Sequence, residues 1–423
     1  MGTITRKLLC IIVLLILLTT QSYTAQTKIP LYIPSGATTE SSRMYSNMVK
    51  DFEIENPDID VLFKPKSRYD DVLQTVIKLT QQKKSAGVAI VEISELLTLK
   101  YANAIIALDE LLDQELGGRN SFLKTIIPGF LANSYGDDGK IYGIPLMRSI
   151  PIIYYNMDIL KKAGITADEL PNSWRELTET LKKVKAVTGQ PPFILAPTWY
   201  GWLFEAFVRQ NGGALANKTN TQVQFDHPAT IEALSYWKML LDKGLMRRNR
   251  GSWKSIINGF EIGRYHVIYY SSGGMGQLAT TAKFNWMTDT IPQNKIYSIP
   301  VGAANIFLSK HMTAAEKKAA WKLVHFLLRP NIQAQISNRT GYFPVVQSAF
   351  EDPLLKERYS MEQFKRARKQ LDFANAKIMT LHYVEIRKIL KAAIDRTLDD
   401  DMPAEESLKI AQREAQKWLK LRQ

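Results

Sequence analysis

The stretch from Gly143 to Asn156, Gly-Ile-Pro-Leu-Met-Arg-Ser-Ile-Pro-Ile-Ile-Tyr-Tyr-Asn, limits the possible folds more than any other part of this chain. Ile150, Ile152, Ile153, Tyr154 and Tyr155 are β-branched or aromatic, and the run is too apolar for a half-exposed strand. It suits a strand covered on both faces. Pro145 and Pro151 argue against a helix and fit poorly in the middle of a sheet. Between them, Arg148 and Ser149 put polar groups into an apolar context. Two readings stand at this point. The stretch is an ordinary core strand with one exposed turn, or it ends one globular unit, shows polar groups to a gap and begins a second unit.

The flanking sequence alternates strands with helices. Ile29–Ile33 reads as a strand, and residues 40–54 place Met44, Met48 and Phe52 at helical spacing. Asn56-Pro57-Asp58 stops that helix, Ile59–Phe63 is a second strand, and Tyr69 opens a further helix. Val88–Ile93 is a buried strand ending in the polar Glu92 region. Such alternation predicts an α/β protein with mostly parallel sheets. In such sheets ligands gather at the carboxyl ends of strands, which singles out Glu92, Ser149 and the loop after the first strand. Beyond Asn156 a second unit repeats the pattern. Ser173 and Glu176 are spaced for a capping box, Gly164 for a helix C-cap, and residues 193–196, 266–270 and 297–308 for strands. No low-complexity tether separates the units, so they are expected to share hinge strands.

The first 25 residues have another character. Arg6 and Lys7 precede the apolar run Leu8–Leu18, followed by small and polar residues. The run is too short to cross a bilayer and fits a secretory signal cleaved near Ala25. Cys10, the only cysteine, lies inside it, so the exported chain is expected to have no disulfide, no thiol nucleophile and no Cys-bound zinc. Beyond residue 25, 53 Lys and Arg against 41 Asp and Glu leave a net charge of +12. These cations are dispersed. The densest group, Lys365-Arg366-Arg368-Lys369, lacks aromatic platforms for bases, and no nucleic-acid partner is expected.

Chemistry-bearing motifs are sparse. The five histidines show no zinc spacing, and there is no nucleophile elbow or phosphate-binding P-loop. Gly273-Gly274-Met275-Gly276 follows a strand but lacks the order of a dinucleotide fingerprint. Neither a metal nor a cofactor is expected. Features suited to binding are richer. Trp199 and Trp202 flank Gly201 after a strand, where indoles could stack on a sugar ring and donate N–H to its hydroxyls. Ser271 and Ser272 offer donors beside glycines, Tyr342 sits on a Gly-Tyr-x-Pro turn, and Tyr69 and Glu92 would complete a polar cavity from the first unit.

Gly143-Ile-Pro, Tyr154-Tyr-Asn-Met-Asp158, Pro171-Asn-Ser-Trp-Arg-Glu-Leu177 and Thr340-Gly-Tyr-Phe-Pro-Val345 occur in the order found in a known family. Over nearly the whole chain after residue 25, the sequence resembles the extracellular solute-binding proteins of ABC sugar importers, nearest the branch that binds glycerol-3-phosphate. The resemblance implies a two-lobed, hinged α/β clamp. Its expected parts are a signal at 1–25, one lobe from 26–148 with 301–345, and a second from 149–300 with 346–423. It implies cleft residues at Tyr69, Glu92, Ser149, Trp199, Trp202, Ser272, Gly302, Ala303 and Tyr342.

One departure matters. The branch holds phosphate with an arginine where this chain reads Ala376-Lys377-Ile378, and lysine lacks the bidentate fork. A sugar or polyol is therefore the expected solute, with glycerol-3-phosphate or a phosphodiester approached by Arg148 as the alternative. The expected protein is a monomeric periplasmic binder that delivers its solute to the transmembrane subunits of a permease. It is not expected to be an enzyme. The competing readings are a secreted carbohydrate-active enzyme, which needs two facing carboxylates, and an adhesion or scaffold protein without a cleft.

Overall fold

The computed structural model describes residues 26–35, 39–195, 200–248 and 251–421. The signal-like segment 1–25, residues 36–38 of the first loop and Trp199 lie outside them.

Two five-stranded sheets organise the molecule. The first is ordered β2–β1–β3–β11–β4, from β1 (Thr27–Ile33), β2 (Ile59–Pro65), β3 (Val88–Glu92), β4 (Gly143–Ser149) and β11 (Gly302–Leu308). The second is ordered β7–β6–β8–β5–β9, from β5 (Pro151–Asn156), β6 (Phe193–Leu195), β7 (Met246–Arg247), β8 (Val267–Ser271) and β9 (Trp286–Asp289). In the first sheet β1 is parallel to β2 and β3, while β11 is antiparallel to both β3 and β4. In the second, β6 is parallel to β7 and β8, while β5 is antiparallel to both β8 and β9. Each sheet thus runs one way except for a single reversed inner strand. That strand is the one by which the chain enters from the other half: β5 directly after β4, and β11 after β10 (Ile299–Pro300).

Helices cover both sheets. Those used below are α1 (Glu40–Glu55), α2 (Tyr69–Gln81), α3 (Trp174–Thr188), α4 (Tyr200–Gln210), α5 (Pro228–Asp242), α6 (Trp253–Glu261), α7 (Met275–Thr281), α8 (Ala314–Leu327), α9 (Pro330–Thr340), α10 (Pro353–Arg358), α11 (Tyr383–Asp399) and α12 (Ala404–Lys420). Every residue of β3, β4, β5 and β8 is buried, as their apolar runs require of strands covered on both faces. Pro151 opens β5, where the missing N–H does least harm. Ser173 caps α3, its Oγ accepting from Glu176 N at 3.2 Å, but the reciprocal arm of the expected capping box is displaced by one residue: Glu176 Oε2 accepts from Asn172 N at 2.8 Å and not from Ser173 N. Among the described residues no helix is long and apolar enough to cross a membrane.

Three segments pass between the halves. The first is Ser149-Ile150-Pro151. Ser272 clasps it, donating its backbone N–H to Ile150 O at 2.9 Å and accepting Ile150 N–H on its Oγ at 3.2 Å. The second runs from β10 through Val301 into β11. The third contains β12 (Ala374–Asn375), which pairs in parallel with β10. This third segment is tied to both sides. Asn133 exchanges two 2.9 Å hydrogen bonds with the Lys377 backbone, and Glu205 of α4 accepts from Ile378 N at 2.9 Å.

Candidate functional site

A cavity of about 150 Å³ lies between the two sheets, roughly the size that accepts one six-membered ring. Strand ends form much of it. Glu92, Ser149 and Ser271 are the last residues of β3, β4 and β8, and all three line the cavity. Tyr69 at the first position of α2, Gly302 and Ala303 at the start of β11, Tyr342 and Lys377 complete the wall on the first-sheet side. The second-sheet side adds Trp202, Trp253, Tyr270, Gly273, Gly274 and Gln277.

The charged part of the wall is one ion pair. Lys377 Nζ donates to Glu92 Oε1 at 2.6 Å, and Glu92 Oε2 accepts from Ser94 N at 3.0 Å. Both side chains are almost wholly buried. Desolvation alone would push the Lys377 ammonium down, but Glu92 and Tyr383 outweigh it and hold it above its usual range. Close behind, Glu95 is buried with Oε2 lacking a hydrogen-bond partner. Burial first, then Glu92, push its carboxyl up to about 8. The Tyr69 phenol is raised well above its ordinary range by burial, then by Tyr342, Tyr45 and Glu92. It is therefore a neutral hydroxyl at any physiological pH.

The opposite wall is aromatic. The Trp253 and Tyr270 rings pack with centroids 4.0 Å apart and planes inclined by 31°. Trp253 is half-buried and lines the cavity, where an indole can serve as a stacking surface for a ring-shaped solute.

Backbone geometry shapes the seam between the walls. A Cβ on Gly302 would lie 2.7 Å from Trp202 Cζ2 and 2.9 Å from Ser149 Oγ, so only glycine lets that indole lie against β11. Ala303 has φ +84°, a left-handed conformation that strains a residue with a side chain, of the kind that collects at ligand clamps. Gly341, with φ +74°, lets the turn carrying Tyr342 touch the start of α7; a Cβ there would meet Gly276 N at 2.6 Å.

Seven of the residues singled out in the sequence lie together at this cavity: Tyr69, Glu92, Ser149, Trp202, Gly302, Ala303 and Tyr342. Two others do not reach it. Arg148 is fully buried, and its guanidinium spends its N–H groups on Phe130 O, Met147 O, Ala304 O and Asn305 Oδ1. It clamps a polar pocket inside the first sheet and cannot approach a phosphate in the cleft. Ser272 is wholly buried and clasps Ile150; its neighbour Ser271 faces the cavity instead. The expectation for Trp202 also changes. Its Nε1 donates to Pro300 O at 3.2 Å and the ring is 5% exposed, so its N–H serves the hinge and not a solute hydroxyl. Trp199 lies outside the described residues.

Sequence reasoning did not pick out Trp253, Tyr270 or Gln277 as contacts; it named Ser271 with Ser272 as donors and read Lys377 only as a missing arginine. A tryptophan opening a helix directly after Gly251-Ser252 was the one available signal for Trp253. Among the described residues no group of three or more His, Cys, Asp or Glu is placed to hold a metal ion.

The sn-glycerol-3-phosphate-binding periplasmic protein UgpB of Brucella abortus (strain 2308) is 24% identical over 336 residues, covering 77% of this chain and 76% of that protein. Its counterpart in Rhizobium meliloti (strain 1021) is 26% identical over 345 residues, covering 78% of each. Among solved structures, UgpB from Mycobacterium tuberculosis in complex with glycerophosphocholine superposes with a TM-score of 0.81 at 22% identity, over 94% of this chain and 99% of that one. The GacH receptor of Streptomyces glaucescens, solved unliganded and with acarbose, gives 0.80 at 18% identity, over 94% and 100%. These likenesses bear out the two-lobed fold. Residues 47–363 match the family model described as bacterial extracellular solute-binding protein.

Proposed function

We propose, from the premise that this chain belongs to the bacterial extracellular solute-binding protein family, that it captures one small polyhydroxylated solute, a sugar or polyol, between its two halves and delivers it to an ABC permease. The observation that carries this reading is the make-up of the cavity. One wall offers hydrogen-bonding groups at strand ends, Glu92 and Ser149 with the Tyr69 and Tyr342 phenols, and the other offers the Trp253–Tyr270 face. A sugar has both kinds of surface, an apolar ring face and a rim of hydroxyls. Lining groups from both halves favour the closed arrangement once solute is bound, because only contacts that differ between two states can shift their balance.

The sequence places the lobes of this clamp at residues 26–148 with 301–345, and at 149–300 with 346–423, and the boundary after 345 moves outward. The packing of α10 on α9 extends the first lobe through Arg358. The family and the signal-like first 25 residues support export to the periplasm. Binding without catalysis suits a lining whose one carboxylate among the described residues, Glu92, is held by Lys377, whereas glycoside hydrolysis uses two acting in concert.

A glycerophosphodiester is the second reading. Lys377 favours it by placing an ammonium at the cavity wall, and so do the named ligands of the relatives. A thermal-shift panel of hexoses, disaccharides, glycerol, glycerol-3-phosphate and glycerophosphocholine separates the two. A cavity ligand raises the melting temperature because it binds only the folded state. A rise with an uncharged sugar or polyol supports the first reading, and a rise confined to phosphorylated solutes replaces it with the second. No rise with any of them removes both.

A further inference from the structure

Besides Glu92–Lys377, a second ion pair lies close to the cavity. Arg387 Nη2 donates to Asp70 Oδ2 at 3.2 Å and Oδ1 at 3.4 Å. Its two members belong to different halves. Asp70 is in the first turn of α2, which packs on β3 and β1 of the first sheet. Arg387 is in the first turns of α11, which packs on α4 and α5 beside the second sheet. Asp70 directly follows Tyr69, whose ring lines the cavity. Arg387 faces Glu92 and Glu95 as well as Asp70, all three on the first-sheet side, together with Tyr383 of its own helix. One acid of the first half thus pairs with a cation carried by the other, and two more acidic side chains lie near enough to act on it.

We propose that Asp70 and Arg387 are a positioning pair for capture. Their contact forms when the halves meet and holds the first turn of α2, with the Tyr69 ring, against the cavity. This rests on the clamp reading above but not on the identity of the solute. The pair is partly exposed, with 35% of the Asp70 side chain and 20% of the Arg387 side chain accessible, so it is weak and sensitive to salt. A weak contact present in one state only is suited to biasing closure without locking it. The third crossing segment supplies a pivot. Lys377 is fastened to the first half through Glu92 and Asn133, while α11 begins six residues later, after His382 at φ +57°.

The test needs no solute. Cys10→Ser removes the only native cysteine, and Leu116→Cys and Ile262→Cys place spin labels on exposed sites, one on each half. The expected result is a ratio of short to long inter-label distances that falls about two- to fivefold in Asp70→Asn and in Arg387→Gln, the range open to a half-exposed pair. Arg387→Lys, which keeps the cation beside these acids, retains most of it. Raising NaCl from 20 mM to 1 M lowers the ratio in the parent but not in the single variants. Melting temperatures stay close to the parent value, which separates positioning from unfolding. Unchanged distances in both Asp70→Asn and Arg387→Gln, or a fall in Arg387→Lys as large as in Arg387→Gln, overturns the proposal. The solute panel above succeeds or fails independently of this outcome.

Discussion

The two walls of the cavity are built on different principles. On the first-sheet side the charged groups of the wall are already engaged, Glu92 with Lys377 and Ser94, and behind that wall carbonyls hold Arg148 and the Lys377 backbone holds Asn133. On the second-sheet side the contacts are ring faces and small residues, Trp253 and Tyr270 beside Ser271, Gly273 and Gly274. Groups that arrive already hydrogen-bonded do not reorganise when a solute binds, so the first wall reads the pattern of donors. The second wall supplies contact area and adapts. A variant on the first side should therefore cost stability and recognition together, and one on the second side recognition alone.

The largest expected effect tests the first half of that statement. Glu92→Ala leaves Lys377 charged and buried without its partner, which costs about 3–5 kcal/mol of folding stability and removes solute response. Urea unfolding and the thermal-shift panel read the two losses separately. Trp202→Ala comes next and tests whether aromatic residues at the cavity form one class. Its ring is buried and tied to Pro300, so the expected loss is about 3–4 kcal/mol of stability, seen as a lowered unfolding midpoint. Trp253→Ala should do the opposite, leaving the midpoint nearly unchanged while weakening solute binding about tenfold by calorimetry, or about 1.4 kcal/mol. If Trp253→Ala destabilises as much as Trp202→Ala, the distinction between the walls fails.

A separate test, apart from that ranking, concerns pH. The unfolded chain releases the Glu95 proton near the usual carboxylate range, whereas the folded protein holds it to about 8. Folding stability therefore falls as pH rises from about 4.5 to about 8 and levels off above, by at most about 1.4 kcal/mol per pH unit from this group. Unfolding at pH 5, 7 and 9 should show that slope, and Glu95→Gln should flatten it.

Much of this architecture could be read from the residues. The all-buried runs of β3, β5 and β8 and the polar residues at their ends follow from local composition, whereas local composition left the crossing at Ser149–Pro151 as one of two readings. What could not be read depends on pairings distant in sequence. Glu92 and Lys377 are 285 positions apart, and neither residue alone reveals that it meets the other. Arg148 looks the same in sequence whether it faces a gap or caps carbonyls inside a sheet. The choice between Ser271 and Ser272 depends on where β8 ends and a turn begins, which shifts by one residue without changing the pattern. Trp253 follows helical periodicity, and periodicity gives a face without saying what lies opposite.

The exchange of inner strands between the sheets bears on how the molecule is made. The first sheet lacks its fourth strand until residue 308 has been synthesised, more than 150 positions after its edge strand β4. Closing such distant pairings is slow. Under the export proposed above, the chain gains from that delay, because its first half stays incomplete, and so open to unfolding, until most of it has been made.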